Sequence, residues 1–369
     1  MARGLSYPSL TKILEALEAN KRSCLVAHSP FLQSFDRKIP LLVDHLSFND
    51  HKITVNDVRF HFIEREVLLS RQEVKERKGL TPGDIELNQD YPIVHDKVCY
   101  VKFYFKDRQV GERRFPEGLS LDMAMKKSAC HFFEKREDIK VRKLRILSKN
   151  NVLRLPAGAK FITSEFDTAE NDLTVLEPLI HPSSLPLKVL KLGMLRNEYH
   201  ANTLIGTAET LILEALLIGH PVFPFLLNMR NRSIKAVGAN FTKIGLTRIV
   251  KNIKENGREL GSTVTVPART EVMEETMRNL KKDFNGEWVT SQEVEETLPT
   301  SDILYISLNE TSEILIYGFM EAVQRIRFKI VPIGSSIPIP SIPPISPIPP
   351  IPDKKVSKKS KFTLFSCIR

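Results

Sequence analysis

Three stretches, Val189-Leu190-Lys191-Leu192, Leu211-Ile212-Leu213 and Ile234-Lys235-Ala236, decide the fold class. Each is a short apolar unit of strand type, bounded by polar or Pro-bearing sequence. The steps from 190 to 211 and from 213 to 236 are about 21–23 residues, within the 20–29 of a leucine-rich repeat. Units of the same kind stand at Leu144-x-Ile146, Phe161-Ile162 and Val264-x-Val266. Helical or irregular segments separate them, for instance the amphipathic run Ile244, Leu246, Ile249, Val250, Ile253. The gaps 144–161 and 236–264 fall outside the period, and the asparagine of the leucine-rich consensus does not recur. The expectation for 139–331 is therefore an irregular, leucine-rich-repeat-like stack of strands and helices that buries a continuous row of Leu and Ile.

Outward from this array, residues 37–138 read as a β-rich section with one helix. Val98 to Phe105 has strand character, with a turn at Lys106 to Gln109 and a partner strand over Val110 to Phe115. Ser120 is placed to cap a helix with Leu121, Met125, Ser128 and Phe132 on one face. The charged stretch Arg71 to Asp84 reads as a loop or loose helix. Toward the C-terminus, Met273, Met277, Leu280 and Phe284 form one helical stripe. Strands follow over 302–308, 313–319 and 325–331, closing the array. From Pro332 alternating Pro, Ile and Ser favour a solvated polyproline II rod followed by a basic tail, so 332–369 is expected to be disordered. The fold class is α+β.

The first 36 residues read as a helical pair. Pro8-Ser9-Leu10 is a start signal, and Leu10, Ile13, Leu14 and Leu17 recur at helical spacing. A further turn or two covers Arg22 to His28, where Pro30 is expected to end it. One hairpin cannot bury both faces, so apolar surface remains to pack on the body or on a partner.

Composition narrows the function. The chain has 369 residues, 42% apolar and 27% charged, which excludes disorder of the whole chain. Its four cysteines form no CxxC pair and suit a reducing compartment. The net charge is +10, but the segment from Asp353 to Arg369 holds six bases against one acid. The body thus lacks the dense basic face of a specific nucleic-acid binder. No apolar leader stands at the start, Ala2 is not a myristoylation glycine, and Leu211 to Leu227 is broken by Glu214, His220, Pro221 and Pro224. The expectation is an intracellular protein, cytoplasmic or nuclear, without a transmembrane segment. Phosphate-loop, dinucleotide, HExxH and GxSxG patterns are all missing, so no catalytic residue, metal ligand or cofactor is expected, and the chain is not expected to be an enzyme.

A resemblance sharpens this. Tyr7-Pro8-Ser9-Leu10, Ile13-Leu14-Glu15-Ala16-Leu17 and Ser29-Pro30-Phe31-Leu32, followed by Leu46-Ser47-Phe48-Asn49-Asp50 and Ile53-Thr54-Val55-Asn56, resemble a roundworm-expanded, uncharacterised family. Leu153-Arg154-Leu155-Pro156 and Ile314-Leu315-Ile316-Tyr317-Gly318 fit the same pattern. Some members carry the label F-box C. The resemblance implies that the N-terminal hairpin docks a Skp1-type adaptor of a cullin ubiquitin ligase, with Pro8, Leu10, Ile13, Leu14, Leu17 and Leu25 as apolar contacts. The array would then present an unknown substrate. The expected function is a protein–protein interaction module, in its specific form a substrate receptor. The alternative is a structural or regulatory protein whose basic tail binds nucleic acid or a membrane surface.

Overall fold

Leu144, Phe166, Leu190, Leu211, Ile234 and Val264 stand in register across six neighbouring parallel strands. All six are buried. Alternate side chains of a strand share a face, so this row fixes which face of the sheet is the core. The computed structural model in which they stand describes residues 7–68, 95–116, 118–148, 152–214, 222–238, 241–268, 270–291, 303–321 and 323–338.

The chain opens with three short helices, α1 (Tyr7–Ala16), α2 (Ala19–Ala27) and α3 (Pro30–Asp36). The third corrects the expected pair. Pro30 starts a helix instead of stopping one, because at the first helical position its missing N–H is no loss. Ser29 caps that helix, its hydroxyl accepting from the Leu32 amide at 3.3 Å.

Strands β1 (Leu41–Asn49), β2 (Lys52–Val55) and β3 (Val58–Leu68) form an antiparallel meander. It continues into β4 (His95–Phe105) and β5 (Arg108–Arg114). Lys106 and Asp107 both take positive φ between them, the backbone that a two-residue hairpin needs. Helix α4 (Leu121–Phe133) begins after Ser120, as its capping pattern predicts. The stretch 71–84 lies outside the described residues.

The parallel run is β6 (Ile139–Ile146), β7 (Ile162–Asp167), β8 (Val189–Leu192), β9 (Thr210–Glu214), β10 (Ser233–Val237) and β11 (Thr263–Pro267). Helices α5 (Leu173–Leu176), α6 (Thr203–Thr207), α7 (Val222–Asn228) and α8 (Lys243–Asn256) lie in its connections. Helix α9 (Thr270–Phe284) leads to β12 (Glu287–Ser291), β13 (Ile303–Ser307), β14 (Ser312–Met320), β15 (Gln324–Pro332) and β16 (Ser336–Pro338). These five are antiparallel among themselves, and β15 also pairs antiparallel with β11.

Among the described residues all sixteen strands belong to one sheet, ordered β16-β12-β13-β14-β15-β11-β10-β9-β8-β7-β6-β1-β2-β3-β4-β5. The core row crosses most of it: Leu46 stands opposite Leu144 at one end, and Val264, Phe328, Ile316 and Leu304 follow at the other. The strand after Leu144 contributes Phe166, not Phe161. Phe161 makes only a single bridge, to Ile180, and the strand proper starts one residue later. From Leu144 to Ile234 the row residues are accordingly 22, 24, 21 and 23 positions apart. The longer step to Val264 contains the 14-residue helix α8. Helices cover the same face, with Leu246, Ile249, Val250 and Ile253 from α8 and Met273, Met277 and Leu280 from α9 in the same core as the row. Ile244 is the exception on the α8 run and is exposed.

The folded part also passes the expected boundary at Pro332, since β15 runs through that residue and β16 pairs with β12. Residues 339–369 lie outside the described residues. Among the described residues no helix is long and apolar enough to cross a membrane.

Candidate functional site

The six residues expected to meet a partner divide by burial. Leu14 is fully buried and forms, with Val26, Phe35 and Ile39, a small core shared by the three N-terminal helices and the chain just after them. Leu10 and Leu17 pack against that core. Helical spacing puts 10, 14 and 17 on one stripe, and that stripe turns inward. Pro8 is exposed, Ile13 is 40% exposed and Leu25 46% exposed. The six residues that the resemblance implies are thus two sets, one holding the helices together and one facing out.

Phe31 joins the outward set. It is 68% exposed at the start of α3, with its ring stacked 6.5 Å from that of Phe35. Ending the helical segment at Pro30 hides it from sequence reasoning, although Ser29-Pro30 is itself a helix-start signal.

What seats this unit on the body is a buried charge cluster. Asp36, the last residue of α3, receives Arg22 from α2 and Arg136 from just beyond α4 on its two carboxylate oxygens. Arg22 is 1% exposed and also donates to the carbonyls of Pro40 at 2.8 Å, Ile39 at 2.9 Å and Asp36 at 3.1 Å. Arg136 donates to the Phe132 carbonyl at 2.7 Å, and burial pulls its guanidinium below the ordinary arginine range. A buried carboxylate held by two hydrogen-bonded guanidiniums has little freedom, so the helices keep one orientation on the sheet. No local spacing connects Arg22, Asp36 and Arg136, and sequence reasoning misses all three.

Two further ties act in parallel. Glu18 caps α2, accepting from the amides of Asn20 and Lys21, and also accepts from the side chain of Asn56. Asn20 donates to the Val55 carbonyl at 2.9 Å. On the other side, Ser23 Oγ lies 2.7 Å from His131 Nε2 of α4. Burial is the main cause holding the His131 imidazole below its ordinary pKa, with Arg136 adding to it. Among the described residues no carboxylate oxygen bonds His131, and the Asp36 oxygens are engaged by arginines. The pair therefore reads as a helix-to-helix tie and not as an assembled Ser–His–Asp relay. Among the described residues no three His, Cys, Asp or Glu side chains are grouped to hold a metal.

The opposite face of the parallel strands is polar. Asp167 accepts from Arg145 at 3.1 Å and lies 3.5 Å from Lys191, which reaches Glu214 at 2.8 Å. Arg142 bridges Asp44 and Glu165 and holds the Asp44 carboxyl below the usual carboxylate range. Farther along, Glu321 receives Lys235 and Arg325. The Arg142–Asp44 pair is largely exposed and adds little stability, whereas Asp167 and Arg325 are themselves buried. Together these groups make a charged strip, alternating in sign, that sequence pattern alone does not assemble.

No curated protein and no solved structure matches the chain. Residues 120–270, from the cap of α4 to the first residue of α9, match the model of a family described as a domain of unknown function, DUF3557.

Proposed function

We propose that this protein is an interaction scaffold and, in its specific form, a substrate receptor of a cullin-type ubiquitin ligase that docks a Skp1-type adaptor through its N-terminal helices. The observation that carries the reading is the outward set Pro8, Ile13 and Leu25, joined by Phe31, on a unit whose orientation is fixed by Asp36. Apolar side chains left on a rigid helical unit suit a helix-docking partner, since little ordering entropy remains to oppose association. The strands from Leu144 onward, spaced like a leucine-rich array, would present the substrate along the charged strip.

The test is co-purification of the full chain with a Skp1-type adaptor, compared with an Ile13→Asp, Leu25→Asp double variant. The wild-type chain is expected to retain the adaptor and the variant to lose it with an unchanged melting temperature. Equal retention by both, or by neither, overturns the adaptor reading.

A further inference from the structure

A groove of about 720 Å³ opens between α2, α4 and the β3–β5 end of the sheet. Its walls are apolar. Val58 and Phe60 of β3, Val101 and Phe103 of β4, Val110 of β5 and Phe132 of α4 line it. Phe60 makes edge-on contacts with both Phe103, at 5.5 Å, and Phe132, at 5.4 Å, so the floor is a locked aromatic cluster. The volume lies in the range of small-molecule sites, and such sites combine apolar walls with a few polar groups that orient the ligand.

Among the described residues the charged side chains that line it are of one sign, with Asn20, Ser23 and Ser128 as neutral polar groups beside them. Lys21 of α2, Arg113 of β5 and Lys127 of α4 converge on the groove from three elements. None of the three side chains has a carboxylate partner among the described residues, and among those residues no Asp or Glu lines the groove. Elsewhere this protein pairs its surface arginines readily, as Arg142 and Arg65 do. Three cations beside an apolar trough are complementary to a molecule with a long apolar body and an anionic end. The chain's own Pro-Ile tail has the apolar body, but it leads into a run of lysines, the wrong charge for this rim. The last described strand before it, β16, stands at the edge of the sheet opposite β5.

We propose that this groove binds a single-chain anionic amphiphile, a long-chain carboxylate, with the chain along Phe60 and Phe103 and the carboxylate held by Arg113, Lys127 and Lys21. Ile13 and Leu25 are not among its lining residues, so the charge-reversal variant below leaves the adaptor contacts unaltered.

The experiment is calorimetric titration of the full-length protein with oleate below its aggregation concentration, and with oleyl alcohol as the uncharged counterpart. Oleate is expected to bind saturably and more tightly than the alcohol. An Arg113→Glu, Lys127→Glu variant should weaken oleate by roughly tenfold or more and remove its advantage over the alcohol. Val110→Glu, at a wall position that is already exposed, should weaken both ligands while leaving the thermal transition in place. Non-saturable uptake, equal affinity of wild type and charge-reversed protein for oleate, or capture of an acidic apolar peptide with no oleate binding would each overturn the proposal.

Discussion

Arg136 donates to the backbone carbonyl of Asp36 at 3.0 Å and to its carboxylate, bridging 100 residues of sequence. Removing the acid would leave Arg22 and Arg136 facing each other without a counter-charge in a buried place. Breaking such a cluster by deleting one partner costs about 3–5 kcal/mol, far more than an exposed pair. Asp36→Ala is therefore expected to lower the urea midpoint by that equivalent and to open the N-terminal helices to protease. A midpoint within about 0.5 kcal/mol of wild type would mean that the cluster is solvated.

Leu14 and Ile13 are neighbours in sequence with opposite tasks. Leu14→Ala empties the centre of the small helical core and should cost about 2–5 kcal/mol. Ile13→Asp changes an outward position and should cost less than about 1 kcal/mol. Adaptor binding should respond in the reverse order at temperatures where both variants are folded. Denaturant curves and co-purification on the same preparations check this, and loss of binding only in step with loss of fold would assign both residues to structure.

This division shows where sequence reasoning stops. Helical spacing finds Leu10, Ile13, Leu14 and Leu17 together, but periodicity has no sign and cannot say which of them meet the body and which, like Ile13, face out. Strand positions from Leu190 to Val264 are legible because short apolar units between breakers leave few alternatives. Phe166 is not, since Ile162-Thr163-Ser164-Glu165-Phe166 alternates weakly and the eye settles on Phe161. The groove is legible only afterwards. Val58 with Phe60 and Val101 with Phe103 alternate as strand faces should, but that α2 stands across from them follows from Asp36, a contact with no local signature.

Stability should fall on mild acidification. His131 is held below its ordinary pKa of about 6.5 by burial and by Arg136, Arg113 and Arg37, with Asp36 opposing. His45 and His61 shift the same way, again chiefly through burial. A histidine whose folded pKa is depressed binds its proton first in the unfolded chain. The fold thus loses stability as pH drops through about 6.5 toward the lower folded values, and gains nothing further above that range. Melting temperature measured from pH 7.5 to 5.5 is expected to decline, with a shallower slope in His131→Gln. A flat profile, or an unchanged slope in the variant, would contradict the depressed pKa of this side chain.

Gly193, just past β8, offers the sharpest test of how successive strands nest. Its amide donates to the Ala169 carbonyl at 2.7 Å, and Ala169 itself takes a positive φ of 47° in the turn after β7. A methyl group on Gly193 would stand 2.1 Å from the Ala169 oxygen and 2.6 Å from its carbonyl carbon. Both obstacles are backbone, so no side chain can swing away and the two turns must separate. Gly193→Ala should cost about 1–3 kcal/mol, the range of overpacked sites. Gly206, within α6, has open space around its added methyl, and there Gly206→Ala should be neutral or stabilising by about 0.4–1 kcal/mol through the unfolded chain. Paired denaturation curves decide the matter: if the two alanine variants shift alike, the turns after β7 and β8 do not touch as described.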